Sequence, residues 1–343
     1  MADALRQAIA SGRYAPGETL PTIREWAQML GVSPRVPKAV IPRLVKEGLV
    51  VARPRHGCIV APRGTFAFSG HVLAVMPAEA HFLNSAILCA SMAKRLEDAG
   101  YLVSVARVHQ SKEGRSEYPG LRLALRQSVD LAVFLLRDPA AARCAKRLGV
   151  PFVTMGDGRL AGCVGHVERD YAEAMWEMAN DFKMHGVRSV GLVFKRDRGE
   201  EGYAEAMRRQ GLKVELMPVG VDPQLPPERR IEAILAGARD AFERRLSRSR
   251  ILPDVLHFED DHLLMGAVPV LLAHGVRIPK DVRLSSLSNY GRGPVLPFPL
   301  ARIEVNQYTN GNMLADAVLS YFEKGTFPRG MTFAAKYLSD RLK

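Results

Sequence analysis

The sequence has no uninterrupted apolar run approaching the roughly eighteen residues that a membrane helix requires, so a soluble globular chain with no membrane partner is expected. Its first residues, MADALRQAIASGRYAPGE, lack the basic flank and apolar stretch of a secretory signal, which places the protein in the cytoplasm. The four cysteines, Cys58, Cys89, Cys144 and Cys163, are far apart and show no paired metal spacing. In a chain read as cytoplasmic they are expected to be reduced and packed, not cross-linked. No HExxH, Walker loop or GxGxxG is present, so neither a cofactor nor an enzymatic activity is expected.

What the sequence does have is an uneven distribution of charge over 343 residues, enough for more than one domain. The formal net charge is +12, and residues 1–63 hold ten Lys and Arg against four Asp and Glu, which is half of the excess. Clustered cations favour a polyanion, because binding releases its condensed counterions.

The same segment carries a pattern. Residues 2–11 predict a helix with Leu5, Ala8 and Ile9 on one face, stopped by Gly12, and Pro16-Gly17 predicts a turn. A second helix, Ile23–Leu30, follows Pro21 and Thr22 and closes at Gly31. Ser33 then offers an N-cap, with Pro34 at the first position of a third helix. Two helices joined by a short Gly-containing turn make a helix-turn-helix. Strand-like residues on either side of the basic turn Arg53-Pro54-Arg55-His56-Gly57 predict a hairpin, or wing, able to reach phosphates or a minor groove.

From Ile9 to Val60 the order AIASGRYAPGETLPTIREWAQMLGVS, EGLV, RHGCIV resembles the GntR family of winged-helix regulators. The resemblance implies a partner, a double-stranded DNA operator. It implies operator contacts at Thr22, Arg24, Ser33, Arg35, Lys38 and Arg43 and at Gly57 in the wing, where Arg53, Arg55 and His56 add charge. The third helix departs from the family: Val36-Pro37 stands where a Thr-Val pair is usual, and Pro42 falls in the helix interior. A proline there removes a backbone donor and clashes with the carbonyl of Lys38, so a kinked helix and an altered DNA site are expected. The alternative is a ligand-binding protein whose DNA-binding module is degenerate.

Residues 64–70 read as a linker. Beyond it, strands predicted over 71–76, 102–106, 131–136, Phe152–Met155, 189–194, 214–217, Val255–Phe258 and 282–287 alternate with helical stretches, the signature of an α/β fold with parallel sheets. Ligands of such folds bind beyond the carboxyl ends of the strands. The succession HVLAVMP, LEDAGY, VDLAVFLL, LGVPFVTM, VERDYAEAM, HGVRSVGLV, PDVLHFEDDHLLMGAV, HGVRIPKDVRLSSL and PLARIEVNQ resembles the LacI/GalR sensor, a periplasmic-binding-protein fold, from 71 to 343.

That resemblance implies two lobes with crossovers near 160–168, 288–292 and 322–330, a homodimer, and a small polar, sugar-like effector. Its implied contacts are His81, Phe82, Asn84, Asp170, Arg198, Asp261, Asn289 and Tyr290. The function it implies is ligand-responsive transcription regulation, with repression relieved by effector. Two departures, AEAHF after the first strand and Gly199 where the family has an Arg, imply an effector other than a common hexose or pentose. Asp261 is the strongest contact, since a carboxylate at a strand mouth accepts two hydroxyl hydrogen bonds; a helix-capping role for Asp260 or Asp261, and for Asp170, is the competing reading. His257, Glu259, Asp260, Asp261 and His262 gather metal-capable groups, but a strand running into a helix sets His262 a turn beyond the others, so no metal site is expected.

Overall fold

The computed structural model describes residues 2–53, 57–61, 68–78, 83–108, 118–156, 158–195, 201–222, 225, 229–291 and 293–339. The first elements are helices α1 (Ala2–Ala10), α2 (Ile23–Leu30) and α3 (Arg35–Lys46), then strands β1 (Val50–Arg53) and β2 (Gly57–Val60). Their core is Leu5, Leu20, Trp26, Ile41, Leu44, Val50 and Val60, where each fully buried large side chain contributes about 1.5–3 kcal/mol of transfer free energy. Thr22 caps α2: its Oγ1 accepts from Glu25 N at 3.3 Å, and the Glu25 carboxylate accepts from Thr22 N at 2.7 Å. Gly31 ends α2 at φ 62°, a left-handed conformation that glycine adopts without steric cost. β1 and β2 pair antiparallel from Val50↔Val60 to Arg53↔Gly57, and Leu20 N donates to Cys58 O at 2.7 Å, which adds the 17–20 segment to the hairpin.

The cap of α3 corrects the sequence expectation. α3 begins at Arg35, with Pro34 as the capping residue in helical dihedrals, while Ser33 Oγ accepts from Arg35 N at 3.4 Å. Pro42 lies inside α3, yet the helix runs unbroken from Arg35 to Lys46. Pro37 is in the first turn, where amide hydrogens have no intrahelical acceptor, and it is buried on the core side with Ile41 and Leu44.

The remainder alternates strand and helix. In chain order come β3 (His71–Pro77), α4 (Leu83–Asp98), β4 (Leu102–Val108), α5 (Pro119–Leu125), β5 (Leu131–Phe134), α6 (Pro139–Arg147), β6 (Phe152–Met155), β7 (Gly165–Asp170), α7 (Ala172–Met184) and β8 (Ser189–Lys195). There follow α8 (Glu201–Arg209), β9 (Lys213–Val219), α9 (Arg230–Arg248), β10 (Val255–Phe258), α10 (Asp261–Ala273), β11 (Arg283–Asn289), β12 (Ala301–Val305), α11 (Gln307–Lys324), β13 (Met331–Ala334) and β14 (Lys336–Leu338). One six-stranded sheet has the order β13-β7-β6-β5-β3-β4 and another β14-β12-β11-β10-β8-β9. In the second, β9, β8, β10, β11 and β12 are parallel and only β14 is antiparallel. This is the α/β architecture with parallel sheets that the sequence predicts.

The chain divides into two compact units, residues 1–77, 89–166 and 311–329 against 78–88, 167–310 and 330–343. The crossover expected near 288–292 is not there. β11 is followed by β12 in the same sheet, paired from Ser285↔Ala301 to Asn289↔Val305, and the chain leaves this unit after Asn310. The cause is the alternation in Ala301–Val305, whose residues Ala301, Ile303 and Val305 are buried while Arg302 and Glu304 are half-buried. Of the expected linker, 64–67 lies outside the described residues; Ser69 N donates to Gly100 O, and Leu102 N to Gly70 O, so these two residues are fastened to the start of β4.

Candidate functional site

Two sites were built from the sequence, and each has a describable core. On the N-terminal module, Arg24 of α2 and Arg35, Lys38 and Arg43 of α3 are all exposed. None makes a salt bridge among the described residues. The acid nearest in sequence to Arg43, Glu47, is instead held by Arg6, whose Nη2 and Nε lie 2.6 and 2.7 Å from its carboxylate oxygens. That hydrogen bond holds the Glu47 carboxyl below its usual range. Thr22 and Ser33 are exposed too, but their hydroxyls serve the starts of α2 and α3. Gly57 opens β2 at φ 74°, opposite Arg53. Arg55 and His56 lie outside the described residues.

The second site is at the carboxyl ends of the parallel strands β8 and β10. Register places Val193 beside Phe258, so the chains two residues further on bring Lys195 to Asp260. The Lys195 ammonium forms an ion pair with Asp260 and lies 3.8 Å from Glu259 Oε1, which also accepts from Lys195 N at 2.8 Å. Asp260 is the N-cap of α10, its Oδ1 accepting from His262 N at 2.9 Å and lying 2.8 Å from His262 Nδ1. The cap is therefore Asp260 and not Asp261, which settles that part of the competing reading. Asp261 stands next to it with a carboxylate oxygen 3.3 Å from His262 Nδ1 and a side chain only 16% exposed.

The electrostatics separate the two carboxyls. Burial would raise Asp260, but the hydrogen bond from His262 and the charge of Lys195 outweigh it and hold this carboxyl well below its usual value. For Asp261, burial and then the neighbouring Asp260 charge push the carboxyl up. His262 is raised, first by its hydrogen bond to Asp260. Asp261 is thus a half-buried carboxylate with acceptor capacity left over, at the mouth of a parallel strand.

Contrary to expectation, His262 is not set apart: ligand atoms of Asp260, Asp261 and His262 lie within 4.8 Å of one another, because all three occupy the first turn of α10. The Lys195 ammonium already supplies Asp260 with the countercharge that a cation would bring. His257 has left the group. It points into the core, where Nδ1 lies 3.0 Å from Ser285 Oγ, its ring packs 4.8 Å from that of Tyr203, and burial lowers its imidazole to about 3.

The other sequence-named residues fall as follows. Asn289 ends β11 and accepts from Gln307 Nε2 at 3.4 Å; Tyr290 is next and half-exposed. Asp170 ends β7 in the other sheet, is exposed, and accepts from Ala172 N at 3.0 Å just before α7, whose N-cap is Tyr171 and not Asp170. Asn84 lies in the first turn of α4. His81, Phe82 and Arg198 lie outside the described residues. Sequence reasoning missed Lys195, Gln307 and the partnership of His262. Lys195 was legible as a cation ending an apolar strand, but its acid is 65 residues away and only strand order joins them.

Residues 1–60 match the gntR family of bacterial regulatory proteins, and residues 179–341 match the periplasmic binding protein-like domain. An uncharacterized HTH-type transcriptional regulator of Escherichia coli K12, YdcR, is 33% identical over 95 residues, which is 28% of this chain and 20% of that protein. The chain spans between a fifth and a third of the length of the curated relatives it matches. A LacI family transcriptional regulator from Arthrobacter sp. FB24, in complex with lactose, superposes with a TM-score of 0.63 at 16% identity, covering 79% of this chain and 97% of that one. A LacI family regulator from Enterococcus faecium with bound ribose gives 0.60 at 15% identity, covering 78% and 97%. This chain therefore combines a segment similar to the gntR family of bacterial regulatory proteins with one similar to the periplasmic binding protein-like domain, in the fold seen in LacI family regulators.

Proposed function

We propose that the chain is a one-component transcription regulator, without enzymatic activity, that binds operator DNA through α2, α3 and the wing and responds to a small polar effector. The observation that carries this reading is the set of four exposed cations, Arg24, Arg35, Lys38 and Arg43, that make no salt bridge among the described residues. Phosphates would supply the missing charge. Operator contacts are assigned to these four, to Thr22, Ser33 and Gly57, and to Arg53, Arg55 and His56.

The effector is assigned to the strand ends around Asp261, with Asn289 and Tyr290 beside them. A polyol suits Asp261 because two hydroxyls would satisfy a carboxylate that burial has stripped of water. The lactose and ribose bound by two proteins of this fold support a sugar-like class. The working form is a cytoplasmic homodimer reading two half-sites, with effector relieving repression.

The test is a shift experiment with the full chain and fragments from its own upstream region, between about 50 and 200 mM salt. Affinity that falls steeply with salt and depends on sequence supports the regulator. Absence of any shift at the lower salt would leave a ligand-binding protein with a degenerate DNA-binding module.

A further inference from the structure

The exposed face of α3 has an unusual chemistry. Arg35, Val36, Lys38, Ala39, Pro42 and Arg43 are exposed, while Pro37, Ile41 and Leu44 are buried against the module's core. Val36, in the first turn, keeps 40% of its surface, and Val32, in the turn before the helix, keeps 36%. From Arg35 to Lys46 the helix contains no Asn, Gln, Ser, Thr, Asp or Glu. Its solvent face is therefore made of cations and aliphatic groups alone.

In a major groove that composition restricts which base edges can be read. Adenine is held in two-point fashion by the amide of Asn or Gln, and the cytosine amino group needs an acid acceptor; α3 has neither. Guanine offers O6 and N7 acceptors to Arg or Lys, and thymine offers its 5-methyl group to an apolar side chain. Resting on the DNA-binding reading above, we infer that α3 selects its operator through guanine acceptors and thymine methyl groups only, with Val36 as the residue that contacts a thymine methyl. Val36 is placed for this role because the N-terminal end of a recognition helix enters the groove most deeply. It leaves water only if something apolar covers it, and a base methyl flanked by the reach of Arg35 and Lys38 does so without stranding either cation.

The test uses the full chain. Duplexes are selected from a random pool, and the best is resynthesised with deoxyuridine replacing each thymidine in turn, which removes one methyl group and nothing else. At one or more thymidines in each half-site, affinity should fall about fourfold, the worth of burying a methyl-sized group. In Val36→Ala the same deoxyuridine should cost nothing further. Val36→Thr, which keeps a methyl at that place, should retain the penalty and confirms that loss of sensitivity is not loss of folding. If a duplex is enriched but deoxyuridine is tolerated throughout within the error of measurement, or if the penalty survives unchanged in Val36→Ala, the inference is overturned while DNA binding stands. If no duplex is enriched at all, the DNA-binding reading fails and the inference with it.

Discussion

On α2 and α3 four cations stand exposed with no salt bridge among the described residues, whereas at the ends of β8 and β10 a cation, three carboxylates and an imidazole are locked to one another. The Lys195 side chain is 13% exposed and the Asp260 side chain 21%. On the proposed function, the difference follows from what each surface would meet. A polyanion brings its own countercharge, so cations that await it are most useful unpaired and hydrated. A small polar molecule brings dipoles and hydroxyls, so its site must already hold its charges at fixed positions and expose only surplus acceptor capacity. On that proposal Asp261 would be the surplus.

The sharpest way to break this contrast is Lys195→Met. It leaves the Asp260 and Glu259 carboxylates buried without their ammonium and should destabilise the sensor by about 3 kcal/mol, read as an earlier calorimetric transition for this domain with the N-terminal module unchanged. Arg35→Ala or Lys38→Ala should do the reverse. Neither should alter thermal stability appreciably, because both side chains are exposed and make no salt bridge among the described residues. Each should weaken operator binding by about 1–3 kcal/mol where a base edge is contacted, or flatten the salt dependence by about one unit of slope where only phosphate is. Thr22→Ala falls between these cases, since losing the α2 cap costs about 1 kcal/mol of stability whatever it does to DNA.

A smaller effect concerns pH. His262 is raised above its ordinary 6.5 in the folded protein, so its contribution is complete below that value and is lost as pH rises through the folded one. Sensor stability should therefore decline across that interval, and His262→Gln should flatten the decline in a pH series of thermal melts. A decline of equal size in the variant would place the titrating group elsewhere.

The legibility of these regions in the sequence differed for a physical reason. The winged helix is built from short-range signals, such as the Thr22 and Glu25 capping box, Gly31 in the left-handed region and the apolar spacing of α3, so its elements could be read locally. The central parallel strands were equally plain, because both faces are covered and apolar residues run continuously, as in Leu131–Phe134. The strands toward one end of each sheet, β7, β12, β13 and β14, were not: Glu168 and Arg169 interrupt the apolar pattern of β7, and Arg302 and Glu304 that of β12. The place of Asp261 after a strand was legible because it is local, but the ion pair of Lys195 was not, since Lys195 reaches Asp260 only through the order β10-β8. Pro37 stands in the first turn, where little is lost, as the sequence suggests, and Pro42 sits on the solvent side of a helix that continues through it.

The central claim is that one chain couples the two kinds of surface. Its most direct test measures the affinity of the full chain for a selected duplex with and without a free monosaccharide found to raise the sensor's melting temperature, in wild type and in Asp261→Asn. The account predicts a ligand-induced change of about 5–150-fold in DNA affinity, the usual range of coupling between two sites, and its disappearance in Asp261→Asn while binding of DNA alone is kept. A sugar that stabilises the sensor yet leaves DNA affinity unchanged would contradict it.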